Sequence, residues 1–205
     1  ENNLLRRSSF YRNDVDPTMV RLGSMNLFLR GLPDVAILRR NGLTTTLDRA
    51  TRADLGLPPE GFDVILANPP FSGRVDAERI VDDVKVGNTR QTEILFLKHM
   101  LNILKPGGRC GVVVPEGVLF GGTGAHKNIR RQLIENNTVH AVLSLPGGVF
   151  QPYAGVKTSI LVFAKGGTTD RVMFLHADND GYRLDANHDV PIADDDLPSL
   201  AVSYK

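Results

Sequence analysis

The residues best suited to chemistry in this chain are Asn68-Pro69-Pro70-Phe71. An exocyclic amine on a nucleobase or an amide is a poor nucleophile, because its lone pair is delocalised. Acceptors placed on both of its hydrogens draw the nitrogen towards sp3 and free that lone pair. The side-chain oxygen of Asn68 is one such acceptor. The Pro69 carbonyl, held between two residues of fixed φ, is a second. Phe71 offers a flat face on which an extruded base can stack. Chemistry of this kind rests on positioning and electrostatics rather than on a general base. The plainer alternative is an Asn-Pro turn with Phe71 as a core anchor. The apolar strand before the motif and the aromatic ring after it favour the catalytic reading.

The motif needs an element to present it. Phe62 to Ala67 (FDVILA) is a nearly continuous apolar run, which predicts a strand buried on both faces of a parallel sheet. Neither proline can donate to a ladder, so the strand ends at Ala67. It delivers Asn68 to a stiff loop at its carboxyl end, where open α/β sheets bind ligands. Upstream, a strand over Ser8 to Asn13 ends at Asp14-Val15-Asp16, and Pro17 opens an apolar-sided helix that stops at Gly31. An acidic residue after such a strand is where nucleotide-binding sheets grip ribose hydroxyls. Asp14 and Asp16 both qualify. Asp16 also suits the helix cap, so Asp14, with Val15 beside it, is favoured for the ribose.

Val35 to Leu38 predicts a short strand, followed by an Asn41-Gly42 turn and a polar loop over 44–60. Ser72 to Gly87 carries charge of both signs without a clean period, which predicts a mobile segment beside the motif. A helix starts at Thr89 or Thr92 and stops at Pro106-Gly107-Gly108. Strands are predicted at Arg109 to Pro115, Val139 to Leu145 and Thr158 to Ala164, with an edge strand at Val172 to His176. Gly121-Gly122-Thr123-Gly124 lacks the GxxxxGK(S/T) spacing of a phosphate loop. The next helix carries His126, Lys127, Arg130 and Arg131. That patch reads equally as a solvated face or as a DNA-backbone contact. Phe150 and Tyr153 sit in a loop from which either could close over a bound base, although core packing is the stronger reading for Phe150. The tail after Asp178 is acidic and turn-rich, and predicts loop.

Composition bounds the class. The 205 residues are 41% hydrophobic and 23% charged, enough for one domain with a real core. A net charge of +1 means that any nucleic-acid contact must come from a local patch. The single cysteine, Cys110, excludes a disulfide framework and a Cys-based zinc site, and no metal site is expected. It lies in an apolar strand pattern and reads as core. No stretch suits a membrane span or a signal peptide, so a cytoplasmic protein is expected.

Together these residues resemble a known family. Asn68-Pro69-Pro70-Phe71 after an apolar strand looks like the catalytic motif of the S-adenosylmethionine-dependent amino-methyltransferases. Four further stretches resemble the modification (M) subunit of type I restriction-modification systems: Phe10 to Gly31, Leu104 to Gly122, Leu133 to Asn137 and Ala141 to Gly166. Asp180 to Asp185 (DGYRLD) fits it too. The resemblance implies an α/β, Rossmann-like methyltransferase sheet that uses S-adenosylmethionine. It also implies N6-adenine methylation of double-stranded DNA beside a specificity subunit, with or without a restriction subunit. Carried over, Asn68 and Pro69 hold the flipped adenine's amine, with Pro70 stiffening the loop, and Phe71 stacks on its ring. Asp14 matches the residue on the cofactor ribose, and Asn41 falls near the next cofactor position. Lys127 and Arg130 are weaker candidates for DNA contact, and Phe150 and Tyr153 for the base. In the family the glycine-rich cofactor motif precedes the position of Phe10, on a first strand central to the sheet, and residues 1–9 hold nothing like it. The expectation is a sheet lacking that strand, with 1–170 a partial catalytic domain and 171–205 an edge strand and irregular tail. The competing expectations are an RNA or protein-glutamine methyltransferase, and an inactive fragment that docks on partner chains.

Overall fold

The computed structural model describes residues 10–33, 35 and 37–204. Strands β1 (Arg12–Asp14) and β2 (Ile37–Arg39) pair in parallel, with Asp14 opposite Arg39. Between them runs α1 (Pro17–Leu29), capped by the Asp16 carboxylate, which accepts the Thr18 N–H at 2.6 Å. The strand expected over 8–13 is thus shorter among the described residues: Phe10 and Tyr11 lie outside it, it ends one residue later at Asp14, and Ser8 and Ser9 are outside the described residues.

The larger sheet is built from β3 (Phe62–Ala67), β4 (Leu104–Pro115), β5 (Asn137–Ser144), β6 (Thr158–Lys165) and β7 (Met173–His176). Their order is β3-β4-β6-β5-β7. The pairs β3–β4 and β5–β7 are parallel, while β6 runs antiparallel to both of its neighbours. The short helix α2 (Arg49–Asp54) precedes β3, and α3 (Thr92–Ile103), α4 (Glu116–Phe120) and α5 (Gly124–Asn136) pack on these strands. The core joins Val112 and Val114 of β4 and Phe163 of β6 to Ile94 and Leu97 of α3 and Ile129 of α5, all fully buried. Each such side chain contributes roughly 1.5–3 kcal/mol by leaving water. Cys110 is part of this core, and burial pushes its thiol up to about 12, so it is an inert packing group.

The two sheets are separate among the described residues, although Tyr11, leading into β1, packs its ring 5.6 Å from that of Phe62 at the start of β3. The break falls between β1 and β3. It also corrects the reading of β3 as buried on both faces. Ile65 and Ala67 pack on the core, but Val64 is 52% and Leu66 83% exposed. The run is apolar on both faces; only one meets a layer of this structure.

Two further expectations change. Residues 72–87 are built in, not a loose strap: Ile80 and Val84 are buried with Leu43 and Leu95 in a second cluster. The tail is regular where loop was expected. β8 (Asp180–Tyr182) and β9 (Pro191–Asp195) form an antiparallel pair, and α6 (Leu197–Tyr204) follows. Among the described residues no helix is long and apolar enough to cross a membrane.

Candidate active site

β3 ends at Ala67 and sends Asn68 to Phe71 off the carboxyl edge of the sheet. Asn68 is exposed, and no hydrogen bond among the described residues engages its amide, so its oxygen is available. Pro69 is buried and Pro70 exposed, which anchors the loop by one ring. The Pro70 carbonyl accepts the Thr92 hydroxyl at 3.2 Å, tying the loop to the first residue of α3. Phe71 is half-buried, and its ring meets that of Phe150 edge to face, centroids 5.6 Å apart at 63°. Phe150 is thus a half-buried wall against Phe71 rather than a core anchor. Tyr153, in the same turn, stands 93% exposed. The loop offers a free amide, rigid carbonyls and an aromatic corner, the elements needed to hold a planar amine-bearing ring.

Asp14, Val15 and Asn41 gather at the other small sheet. The Arg40 N–H donates to the Asp14 carbonyl at 3.0 Å, placing Asn41 just past the ends of both strands. One oxygen of the Asp14 carboxylate accepts the Asp16 N–H at 3.0 Å, which aims the side chain and leaves its second oxygen for a ligand. Val15 is exposed beside it. Asn41 Oδ1 accepts the Leu43 N–H at 3.0 Å, fixing the turn, with its NH2 left as a donor. A half-buried carboxylate at a parallel strand end fits the diol of a nucleoside ribose. The turn is held from below: Leu43 is buried, and His99 of α3 packs so closely on Gly42 that an added Cβ would lie 2.6 Å from Nε2. Burial lowers the His99 imidazole to about 4, so it packs as a neutral ring.

The basic patch divides. Arg130 donates to the Val118 carbonyl at 2.9 Å and to the Gly121 carbonyl at 2.8 Å, stapling α4 to α5. Arg131 pairs with Glu135 on the helix surface. His126 is buried, with Nδ1 2.6 Å from the Thr123 hydroxyl, and burial lowers its pKa. It is therefore not part of a solvated face, one of the two readings the sequence left open. Lys127 is exposed on the helix surface. Among the described residues no group of three His, Cys, Asp or Glu side chains could hold a metal ion.

The N-6 DNA methylase family model matches residues 2–205. This chain belongs to that family. It is 36% identical over 163 residues to the methylase subunit of the type I restriction enzyme EcoEI from Escherichia coli, covering 79% of this chain and 32% of the relative. A chain solved to explain complex assembly and conformational transition of a type I R-M system shares 32% identity at a TM-score of 0.79, over 98% of this chain and 39% of that one. The M protein of the type I enzyme EcoKI superposes at a TM-score of 0.66 with 29% identity, over 85% of this chain and 37% of that protein. This family member thus spans about a third of the length of its E. coli EcoEI relative.

What the sequence left unseen around the site is the support: Thr92, the buried Glu93 next to it, and the Phe71–Phe150 contact. The first two read as an ordinary helix start. Only the pairing of α3 against the loop reveals them.

Proposed function

We propose that this chain carries the catalytic loop of a type I modification subunit, which transfers a methyl group from S-adenosylmethionine to the N6 amine of adenine in duplex DNA. The observation that carries the reading is the unengaged Asn68 amide at the carboxyl end of β3, beside the Phe71–Phe150 corner. Bound S-adenosylmethionine supplies an electrophilic methyl group. Asp14 would hold its ribose, with Asn41 at the adjoining strand end. Asn68 Oδ1 and the Pro69 carbonyl accept the two N6 hydrogens of a flipped adenine, which localises the nitrogen lone pair for attack. Phe71 stacks on the base. As the N6–methyl bond formed, the sulfonium's bond to that methyl would break to leave a neutral thioether, and the acidified N6 proton would pass to water, so no residue of the loop needs to be a strong base. A specificity subunit reads the DNA sequence, with or without a restriction subunit in the complex, and the assembly works in the cytoplasm.

A second reading, a non-catalytic piece that docks on other chains, draws on the exposed Val64 and Leu66 and on Leu22, Met25 and Phe28 of α1. Labelled S-adenosylmethionine separates the possibilities. Offered unmodified duplex DNA, tRNA and protein in parallel, the methylase should label the DNA. Label in tRNA or protein would replace the substrate class, and no cofactor binding in calorimetry would favour docking.

A further inference from the structure

Thr92 grips the catalytic loop at two points, one on each side of Phe71. Its hydroxyl donates to the Pro70 carbonyl at 3.2 Å, and its backbone N–H donates to the Gly73 carbonyl at 3.1 Å. The side chain is buried, and its methyl and hydroxyl press on Gly73, where an added Cβ would lie 2.9 Å and 2.8 Å from them. The grip continues as a short antiparallel strap. Arg74 bridges Gln91, and the Val75 N–H donates to the Arg90 carbonyl at 3.1 Å.

We propose that Thr92 is the positioning residue of the methyl-transfer loop, a two-point clamp that decides which proline carbonyl faces the substrate. The inference rests on the function proposed above and adds a residue to it. The physical reason is the geometry of a Pro-Pro segment. Proline fixes φ at both residues, and Pro70 biases Pro69 towards polyproline backbone, a geometry with three residues per turn in which successive carbonyls point about 120° apart. With the Pro70 carbonyl drawn to α3, the Pro69 carbonyl is turned to a different side and left for the amine. Holding Pro70 and Gly73 together also fixes the residue between them that carries the stacking ring.

The hydroxyl has one proton and a rival acceptor, Glu93 Oε2 at 3.3 Å. The clamp on Pro70 holds while that proton points to the loop. Glu93→Gln provides a control, since its amide N–H can donate to the Thr92 oxygen and leave the hydroxyl proton for Pro70.

The chain has no tryptophan, so Phe71→Trp installs a single indole reporter on the loop. In that background Thr92→Val keeps the shape and the backbone N–H but removes the hydroxyl. Acrylamide quenching of the indole should then rise about threefold, with an unchanged circular-dichroism spectrum. Thr92→Ser should restore protection, and Glu93→Gln should leave the indole as protected as before. In the methylase with Phe71 intact, Thr92→Val should lower kcat about 100-fold, the scale of a 1 Å misplacement, at unchanged KM for S-adenosylmethionine. Thr92→Ser should recover most of it. Unchanged quenching in Thr92→Val, a loss of kcat that serine does not rescue, or exposure of the indole by Glu93→Gln alone would each overturn the clamp. If Thr92→Val melts too low to study, Gly73→Ala, which pushes Thr92 from the loop side, must expose the reporter; protection there overturns the clamp as well. If the unmutated protein transfers no methyl group, the proposed function fails, and the quenching series alone decides the clamp.

Discussion

Phe71 illustrates what a single residue contributes. Its ring is half-buried, touches Phe150 on one edge, and leaves a face for a base. Phe71→Ala should cost about 1–3 kcal/mol of stacking on the extruded adenine, read as weaker binding and turnover of duplex substrate. Unchanged binding and turnover would make Phe71 a packing residue. His99 allows a prediction about pH. Its folded-state pKa of about 4 lies below the ordinary value of 6.5, so the unfolded chain takes up the proton first as pH falls. The stability it preserves is present above about pH 6.5 and is lost between there and about pH 4, up to about 3 kcal/mol in all. His99→Leu should flatten the acid limb of the stability curve by that amount; parallel curves for the two proteins would show that the imidazole is not held neutral. Asn68, the two prolines and Phe71 were legible because their chemistry is local. Thr92 was not, because its role depends on a segment 22 residues earlier in the chain being folded against it.

Elements were legible in proportion to how far local pattern decides them. α3 announces itself through apolar residues at helical spacing and starts at Thr92, one of the two expected positions. β4 begins earlier than its pattern, at Leu104. Its register against β3 jumps from Phe62–Leu104 to Val64–Arg109, and Lys105 to Gly108 bulge out, with Gly107 at φ +76°. Pro106-Gly107-Gly108 therefore interrupts a strand edge as well as ending a helix. The tail hid its hairpin because all five residues of β9 are exposed and show no alternation. Side chains at the hairpin's own ends and in its connecting loop shape it instead: Asp196 accepts the N–H groups of Asp178 and Asn179, and Asp180 pairs with His188 at 2.9 Å. A buried defect sits at the start of β6. The Thr158 hydroxyl is fully buried without a hydrogen-bond partner among the described residues. Thr158→Val should raise stability by about 1 kcal/mol in thermal melts, since no bond is lost and a desolvation cost is removed. A lower Tm would show that the hydroxyl has a partner.

At the scale of the whole molecule, composition bounded the chain to one domain with a real core but not its partner, because a net charge of +1 favours none. The order of the strands and the exposed side of β3 were beyond local pattern, since burial depends on what lies across a face. Val64 and Leu66 look like core in the sequence and stand open in the fold. In both sheets the candidate residues, Asp14 with Asn41 and Asn68 with Phe71, lie at or past the end of a strand. In the proposed reaction Asn68 is the acceptor without which the amine is not activated. The decisive measurement is the N6-methyladenine content of unmodified duplex DNA after incubation with S-adenosylmethionine and the methylase, with and without Asn68→Ala. The unmutated protein should form N6-methyladenine. Asn68→Ala should form at least ~100-fold less while retaining its fold, because losing one aimed polar group of this kind costs about 10²–10³ in kcat. Equal N6-methyladenine from both proteins would contradict the central claim.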